Sequence, residues 1–384
     1  MSLVTIIIPC YNIEAYLDRC LESVAQQSYK EFSVILIDDG STDDTFTKCV
    51  EWKNKDNRVT LVSKKNLGLG MTRNLGIKMS DSEYITFLDA DDWWHEDYLK
   101  EMIAGTENGR NDIVLCDFDF IYEEDNGSMT HSLSELRFPA GRIDINNEMF
   151  FLSRARTYAW GKLYRRSLFT DNSIEEPSHD YEDVATTPLI MAKAAKVYHV
   201  PKSMYRYVRN RPGSIINNFS SLYDLLLSLT ELVEHFKAHK LFTRFYVQLR
   251  QMLWGELCYL YRAVESRFIH HDEIEKQKVK QKGKEVILSC FPELENFIHL
   301  KYYVGEDELL RHAIDNIILD KKQIVQNHDK NIDVFVALQN EKNIELNVKN
   351  KIIVSVDDNN LSKEHIVWNL SDEIFQKSCV VNNM

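Results

Sequence analysis

The first 216 residues predict an α/β fold: a mixed, mostly parallel sheet flanked by helices. Three observations carry that expectation. Short apolar, β-branched runs at 4–9, 32–37, 59–63, 84–88 and 113–116 read as buried strands. Segments with apolar residues at helical spacing alternate with them. Two of the runs end abruptly in carboxylates, Asp38-Asp39 and Asp89-Ala90-Asp91-Asp92, at the strand ends where open α/β sheets bind ligands.

Each element follows from its residues. The first run stops at Pro9 and has no basic lead, so it is too short for a signal-peptide core and reads as a strand. Asn12 is expected to cap a helix carrying Tyr16, Leu17, Cys20, Leu21 and Val24. The second strand leads into a helix from Asp43 or Asp44 to about Trp52. After the third strand, Asn66-Leu67-Gly68-Leu69-Gly70 is a flexible loop entering a helix with Arg73, Asn74 and Ile77. Residues 123–136 are polar and weakly patterned, and are expected to form a loop over the sheet. A helix is expected at 187–195 and a closing strand at 197–200, followed by a basic, loop-ended stretch at 205–214.

The texture changes near residue 217. Residues 222–267 contain no Pro and one Gly, with Leu226, Leu229, Leu232, Val233 and Phe236 at helical intervals, so long helices are expected. The lysine-rich segment 275–284 reads as a solvated face. Segments 332–338, 344–348 and 351–356 alternate like strands, with a turn at 357–360. The expected domains are therefore 1–216, a helical region at 217–330, and a small strand-containing α/β or β-rich tail at 331–384.

Bulk properties narrow the function classes. A formal net charge of -13 over 384 residues argues against a nucleic-acid binder. Seven cysteines are scattered without a CxxC pair, which fits a reducing compartment and neither a zinc site nor a disulfide framework. No apolar run reaches the ~18–20 residues of a membrane span. A cytoplasmic protein is expected. The aromatic and basic residues between Phe236 and Phe245, with the lysines at 276–284, suit either a homodimer or a peripheral contact at the inner face of the plasma membrane.

The acidic strand ends point to chemistry. Asp89, Asp91 and Asp92 crowd together, which is costly without a cation. Their hard oxygens suit Mg²⁺ or Mn²⁺ sharing a diphosphate. The simpler alternative, an acidic cap on the helix from Glu96, needs only one carboxylate. Asp39 can accept from the imide N–H of a nucleotide base, and the strand end Pro9–Tyr11 offers a surface for it. Arg73 can pair with Asp89 or with phosphate oxygens, or form a surface salt bridge.

Six motifs occur in order: TIIIPCYN, VILIDDGSTDDT, NLGLGMTRNLGI, YITFLDADDWW, WGKLYRRSLF and YEDVATTP. Together they resemble glycosyltransferase family 2, inverting enzymes of the Rossmann-like GT-A fold with nucleotide-sugar donors; the resemblance covers about residues 4–214. It implies that Pro9, Tyr11 and Asp39, with Asp38 beside them, serve the base, and that Gly68, Arg73 and Asp89 serve the donor. It further implies that Asp91 binds the metal, assisted by Asp92, and that Asp183 is the general base, with Glu182 its most confusable neighbour. Trp160 and Lys162 would lie beside donor and acceptor, and His179, Arg209 and Arg211 could close over the diphosphate. The implied function is transfer of a sugar, from a uridine diphosphate donor above others, to a glycan or lipid-linked glycan in cell-surface synthesis. Two other classes stay open: a non-catalytic nucleotide-sugar binder or scaffold, and a DxD phosphatase of the haloacid-dehalogenase type, whose first Asp is a nucleophile.

Overall fold

The computed structural model describes residues 2–292, apart from 124–128, 135–137, 139, 146–150, 210 and 212, together with strands at 325–327, 332–338, 351–356, 366–367 and 380–381. Its internal contacts divide into two units, Met1–Gln248 and Leu249–Met384.

In the first unit the apolar runs form strands where expected. β1 (Val4–Cys10), α1 (Leu17–Ala25), β2 (Phe32–Asp38), α2 (Thr45–Lys55), β3 (Val59–Ser63), α3 (Leu69–Met79) and β4 (Tyr84–Phe87) alternate along the chain. β1 is buried at all seven positions, as a central parallel strand covered on both faces must be. Then come β5 (Trp93–Trp94), α4 (Tyr98–Gly105), β6 (Ile113–Glu123), β7 (Met129–Ser134), β8 (Gly141–Ile143), α5 (Phe151–Arg154), β9 (Lys162–Arg165), α6 (Ser167–Thr170), α7 (Glu182–Lys193), β10 (Val197–Val208) and α8 (Ser221–Ala238).

The sheet runs β3-β2-β1-β4-β9-β6-β10-β5, with β7 on β6 and β8 on β10. β1, β2, β3 and β4 pair in parallel, as do β6 and β10, while β9 is antiparallel to both β4 and β6. One face of the sheet packs Ile6, Ile8, Val34 and Leu36 with Leu17, Leu21, Tyr98 and Met102 of the helices. The parallel β2-β1-β4 block sets three carboxyl ends side by side.

Several elements differ from expectation. Asn12 does not cap α1; the helix starts at Leu17, and the Asn12 side chain accepts from the Thr42 amide at 2.8 Å, tying the β1 and β2 ends together. Part of the expected loop at 123–136 is strand β7, paired antiparallel to β6. β9 was not anticipated. Its polar sequence is strand because β4 and β6 supply ladder partners on both sides. β10 runs to Val208, well beyond residue 200, with irregular register between Val200 and Tyr205. α7 begins at Glu182, a turn and a half earlier than expected.

α8 packs its stripe of Leu225, Leu226, Leu229, Leu232 and Val233 within the first unit and adjoins α7, where His235 meets the Ala185 carbonyl at 3.3 Å. α9 (Tyr246–Arg262) begins at the end of this unit.

The second unit contains α10 (Glu273–Cys290), capped by Asp272 accepting from the Glu275 amide. It also has a sheet of β11 (Val325–Asn327), β12 (Ile332–Leu338) and β13 (Lys351–Val356), and a pair, β14 (Ile366–Val367) and β15 (Val380–Val381). The expected strand at 344–348 and turn at 357–360 lie outside the described residues. The lysine segment is not wholly a solvated face: Lys276 is buried and donates to the Ile269 carbonyl, and buried Lys280 pairs with Glu265. Among the described residues, no helix is long and apolar enough to cross a membrane.

Candidate active site

The carboxyl ends of β1, β2 and β4 deliver Pro9, Tyr11, Asp38, Asp39 and the 89–92 carboxylates to one edge. Pro9 is buried in the sheet and Tyr11 is half exposed beyond it. Asp38 is turned inward. It accepts from the Ser41 amide at 3.1 Å and the Ser63 hydroxyl at 2.9 Å, bracing the turn after β2. Asp39 accepts from the amides of Leu67 (2.9 Å) and Gly68 (3.0 Å) and pairs with Lys64, so it fixes the glycine loop.

That loop needs its glycines. Gly68 has φ +91°, and a Cβ there would lie 2.7 Å from the Ser178 carbonyl oxygen. A Cβ on Gly70 would lie 2.1 Å from the Pro177 carbonyl oxygen. Segment 176–178 therefore rests directly on the start of α3. Asn74 secures it: its side chain donates to the Glu176 carbonyl at 2.7 Å and accepts from the Glu176 amide at 2.9 Å.

Arg73 sits beneath this junction, almost wholly buried. Its guanidinium reaches Asp89 at 2.8 Å, Glu182 at 2.5 Å and Glu176 at 3.3 Å. Burial opposes its charge, but these carboxylates and Asp183 overcome that and raise its pKa. One guanidinium faces four carboxylates, so not all of them can ionise cheaply. Burial pushes Glu176 up to about 8, against Arg73 and with Glu182. Nothing in the Glu175-Glu176-Pro177 stretch singles out Glu176; only its carriage onto α3 brings it here.

Asp183, in the first turn of α7, is partly exposed. Burial and the neighbouring Glu182 charge push it up to about 8, against Arg73. The preceding segment is held by α8: His179 contacts Glu231 at 3.0 Å and the Asp180 carbonyl at 2.8 Å. His179 is thus turned to α8. Lys162 is buried with its ammonium on the carbonyls of Tyr158 and Trp160, and burial lowers its pKa to about 7 against the pull of Asp183. Trp160 is 4% exposed and stacked with Tyr158 and Tyr205, so it is a core residue without an open face for a sugar ring.

The three carboxylates after β4 have separate partners. Asp92 is fully buried and accepts from the Tyr205 hydroxyl at 2.7 Å and the Val208 amide at 2.8 Å. Burial first, then Asp91 and Asp89, raises its pKa well above the carboxylate range. Asp89 is held by Arg73, and Asp91 pairs with Arg211; burial raises the Asp91 pKa even against that pairing. The helix that follows begins at Tyr98, after Asp97, so none of the three is its cap. Arg209 lies over Phe120 and Tyr207, whereas it is Arg211 that pairs with Asp91.

Among the described residues, no three His, Cys, Asp or Glu side chains converge as a metal-binding group. The chemistry of Asp91 and Asp89 nonetheless fits an Mg²⁺ or Mn²⁺ ion that takes one or two carboxylates and completes its shell from diphosphate and water.

These features define a GT-A α/β domain. The fold matches that of S. aureus TarS 1-349 in complex with UDP-GlcNAc, with a TM-score of 0.61 and 21% identity, covering 82% of this chain and 91% of that one. Residues 5–172 match the family model described as Glycosyl transferase family 2, and this stretch of the chain is a glycosyl transferase family 2 domain. Glycosyltransferase GlyA of Streptococcus pneumoniae is 29% identical over 218 residues, 55% of this chain and 31% of its own length. The poly(ribitol-phosphate) beta-N-acetylglucosaminyltransferase TarS of Staphylococcus aureus is 28% identical over 224 residues, 57% of this chain and 37% of its own length. The aligned stretch is thus about a third of the length of either relative.

Proposed function

We propose that the chain transfers a sugar from a nucleotide-diphosphate donor, a uridine diphosphate sugar foremost, to a hydroxyl of a glycan or lipid-linked glycan, with inversion. The carrying observation is the division of two adjacent acids. Glu182 is spent on buried Arg73, while Asp183 keeps partial exposure and a raised pKa, as a general base requires. The acceptor oxygen bonds the anomeric carbon as the bond to the diphosphate oxygen breaks, and the acceptor proton passes to the Asp183 carboxylate.

The catalytic domain is taken as residues 1–216. Pro9 and Tyr11 flank the base, and Asp39 Oδ2, which accepts one amide, retains a lone pair for an imide N–H. Asp89, oriented by Arg73, serves the ribose. Its ion pair makes it a poor nucleophile, which counts against the phosphatase alternative. Asp91 would hold Mn²⁺ or Mg²⁺, which when bound neutralises diphosphate charge. Arg211 leaves Asp91 for the diphosphate as the donor enters. The proposal includes a cytoplasmic setting and a role in cell-surface polysaccharide or glycolipid synthesis.

Competition binding with uridine, guanosine and cytidine diphosphates, followed by donor hydrolysis, tests the reading. Preference for uridine diphosphate and release of sugar are expected. Equal binding of all three removes the base-reading role of Asp39, and binding without turnover of any donor favours a non-catalytic binder.

A further inference from the structure

The aromatic residues around Trp160 form a continuous surface, and we propose that its outer part, with Arg209, is an acceptor subsite for a sugar ring bearing an anionic group. This rests on the glycosyl-transfer reading and specifies the acceptor class for that same site.

The rings share one face by register. Tyr205 pairs with Phe118 and Tyr207 with Phe120 across β10 and β6. Phe118, Trp160 and Tyr205 are buried, whereas Phe120, Tyr207 and Tyr158 are partly exposed. Trp160 links the two sets, stacking on Tyr205 at 4.3 Å and on Tyr158 at 4.4 Å, with Tyr207 at 4.8 Å. Tyr158 and Tyr207 lie 5.6 Å apart, Phe120 and Tyr207 5.9 Å apart. A core cluster accounts for the inner three rings. It does not account for three outer rings that pack against that core yet stay partly exposed, a pattern that suits the apolar C–H face of a pyranose.

The surface adjoins the reaction centre at two points. The Tyr205 hydroxyl donates to Asp92 and accepts from the Asp89 amide at 3.3 Å, so the inner rings back the donor carboxylates. The Tyr158 carbonyl holds the Lys162 ammonium, which feels the Asp183 charge, so the outer rings are linked to the proposed base through Lys162.

Arg209 supplies the charge. Of three arginines in succession, Arg206 pairs with Asp119 and Arg211 with Asp91. Arg209 instead lies 5.1 Å over Phe120 and 5.4 Å over Tyr207, and among the described residues it has no carboxylate partner. The Arg209 guanidinium hydrogen-bonds the Tyr207 side chain, and its remaining N–H groups can donate to a carboxylate or phosphate. Arg211 already faces the diphosphate side, leaving Arg209 to the acceptor.

The test uses the full chain with methyl β-glucoside, its uronic acid and its 6-phosphate, titrated with and without UDP and Mn²⁺ and followed by saturation-transfer NMR and calorimetry. At least one anionic glycoside should bind about fivefold or more tighter than the neutral one, as a charge-assisted contact implies, and the two anionic arms separate carboxylate from phosphate. Arg209→Ala should erase that preference and leave UDP affinity unchanged, with Arg209→Lys intermediate. Equal binding of neutral and anionic glycosides, or no glycoside binding by a chain that binds UDP, overturns the proposal. So does an Arg209→Ala chain that loses UDP affinity and keeps the anionic preference. Failure of the unaltered chain to bind UDP counts instead against the glycosyl-transfer reading.

Discussion

Arg73 and Glu182 meet at 2.5 Å in a site closed to solvent, although 109 residues separate them in the chain. The pair gives Glu182 and its neighbour Asp183 different chemistry. Glu182 becomes a permanent counter-ion, and Asp183 is left with the negative field of that counter-ion and few donors of its own. Replacing Arg73 by Met should cost about 3–5 kcal/mol of folding stability, the usual loss when one partner of a buried charge cluster is removed. Denaturant melts at pH 7 measure it, and a loss below 1 kcal/mol would mean that the cluster is not closed as described.

Asp183→Asn should retain nucleotide affinity and lose turnover by a factor on the order of 10²–10⁴, the range for a general base. Glu182→Gln should instead lower stability, because a neutral amide cannot balance Arg73. Steady-state kinetics on both variants, with the product anomer assigned by NMR, separates the roles. Retained configuration, or a near-normal rate for Asp183→Asn, would reassign the base.

The same aspartate carries a pH signature in stability. Its folded pKa of about 8 exceeds the ordinary carboxylate value of about 4. Stability that depends on its proton is complete below the unfolded value and is lost as pH rises through the folded one. Asn has no proton to lose. The melting temperature of Asp183→Asn relative to the parent should therefore climb between about pH 4 and pH 8 and then level off. A constant difference across that range would contradict the raised pKa.

The strands that were legible in the sequence are those whose own side chains decide the matter. β1, β2 and β4 are continuous apolar runs, and their carboxylate ends could be read as a ligand edge. β9 was not legible, since Lys162-Leu163-Tyr164-Arg165 has no strand pattern apart from the neighbours that flank it. Asp39 and Asp91 could be singled out from their clusters. Glu176 could not, because its role depends on Asn74 pinning its backbone and on two glycines letting the chain pass. Trp160 was ambiguous for a related reason: an aromatic residue suits a core and a sugar face equally until the rings stacked against it are known.

Asp91→Asn should keep the fold and lose most metal-dependent donor binding. The neutral amide also loosens Arg211, so the variant should bind UDP similarly with and without Mn²⁺. Calorimetry under both conditions tests this, and an undiminished Mn²⁺ effect would move the metal away from Asp91.

Gly70→Ala introduces a Cβ where the Pro177 carbonyl already lies, and backbone atoms are on both sides of the clash. A destabilisation of about 1–3 kcal/mol, the range for overpacking, is expected together with reduced turnover. Thermal melts and kinetics check it; a variant equal to the parent in both would show that segment 176–178 does not rest on α3.

The Gly68–Gly70 crossing has an implication for fidelity. One short stretch is tied at one end to Asp39, the residue proposed to read the nucleotide base, and at the other supports the turn leading to Asp183. On the proposed reading, a nucleotide that seats badly would pull on the same backbone that aligns Asp183. A wrong donor would, on that reading, be penalised in catalytic rate as well as in occupancy, and so would its wasteful reaction with water.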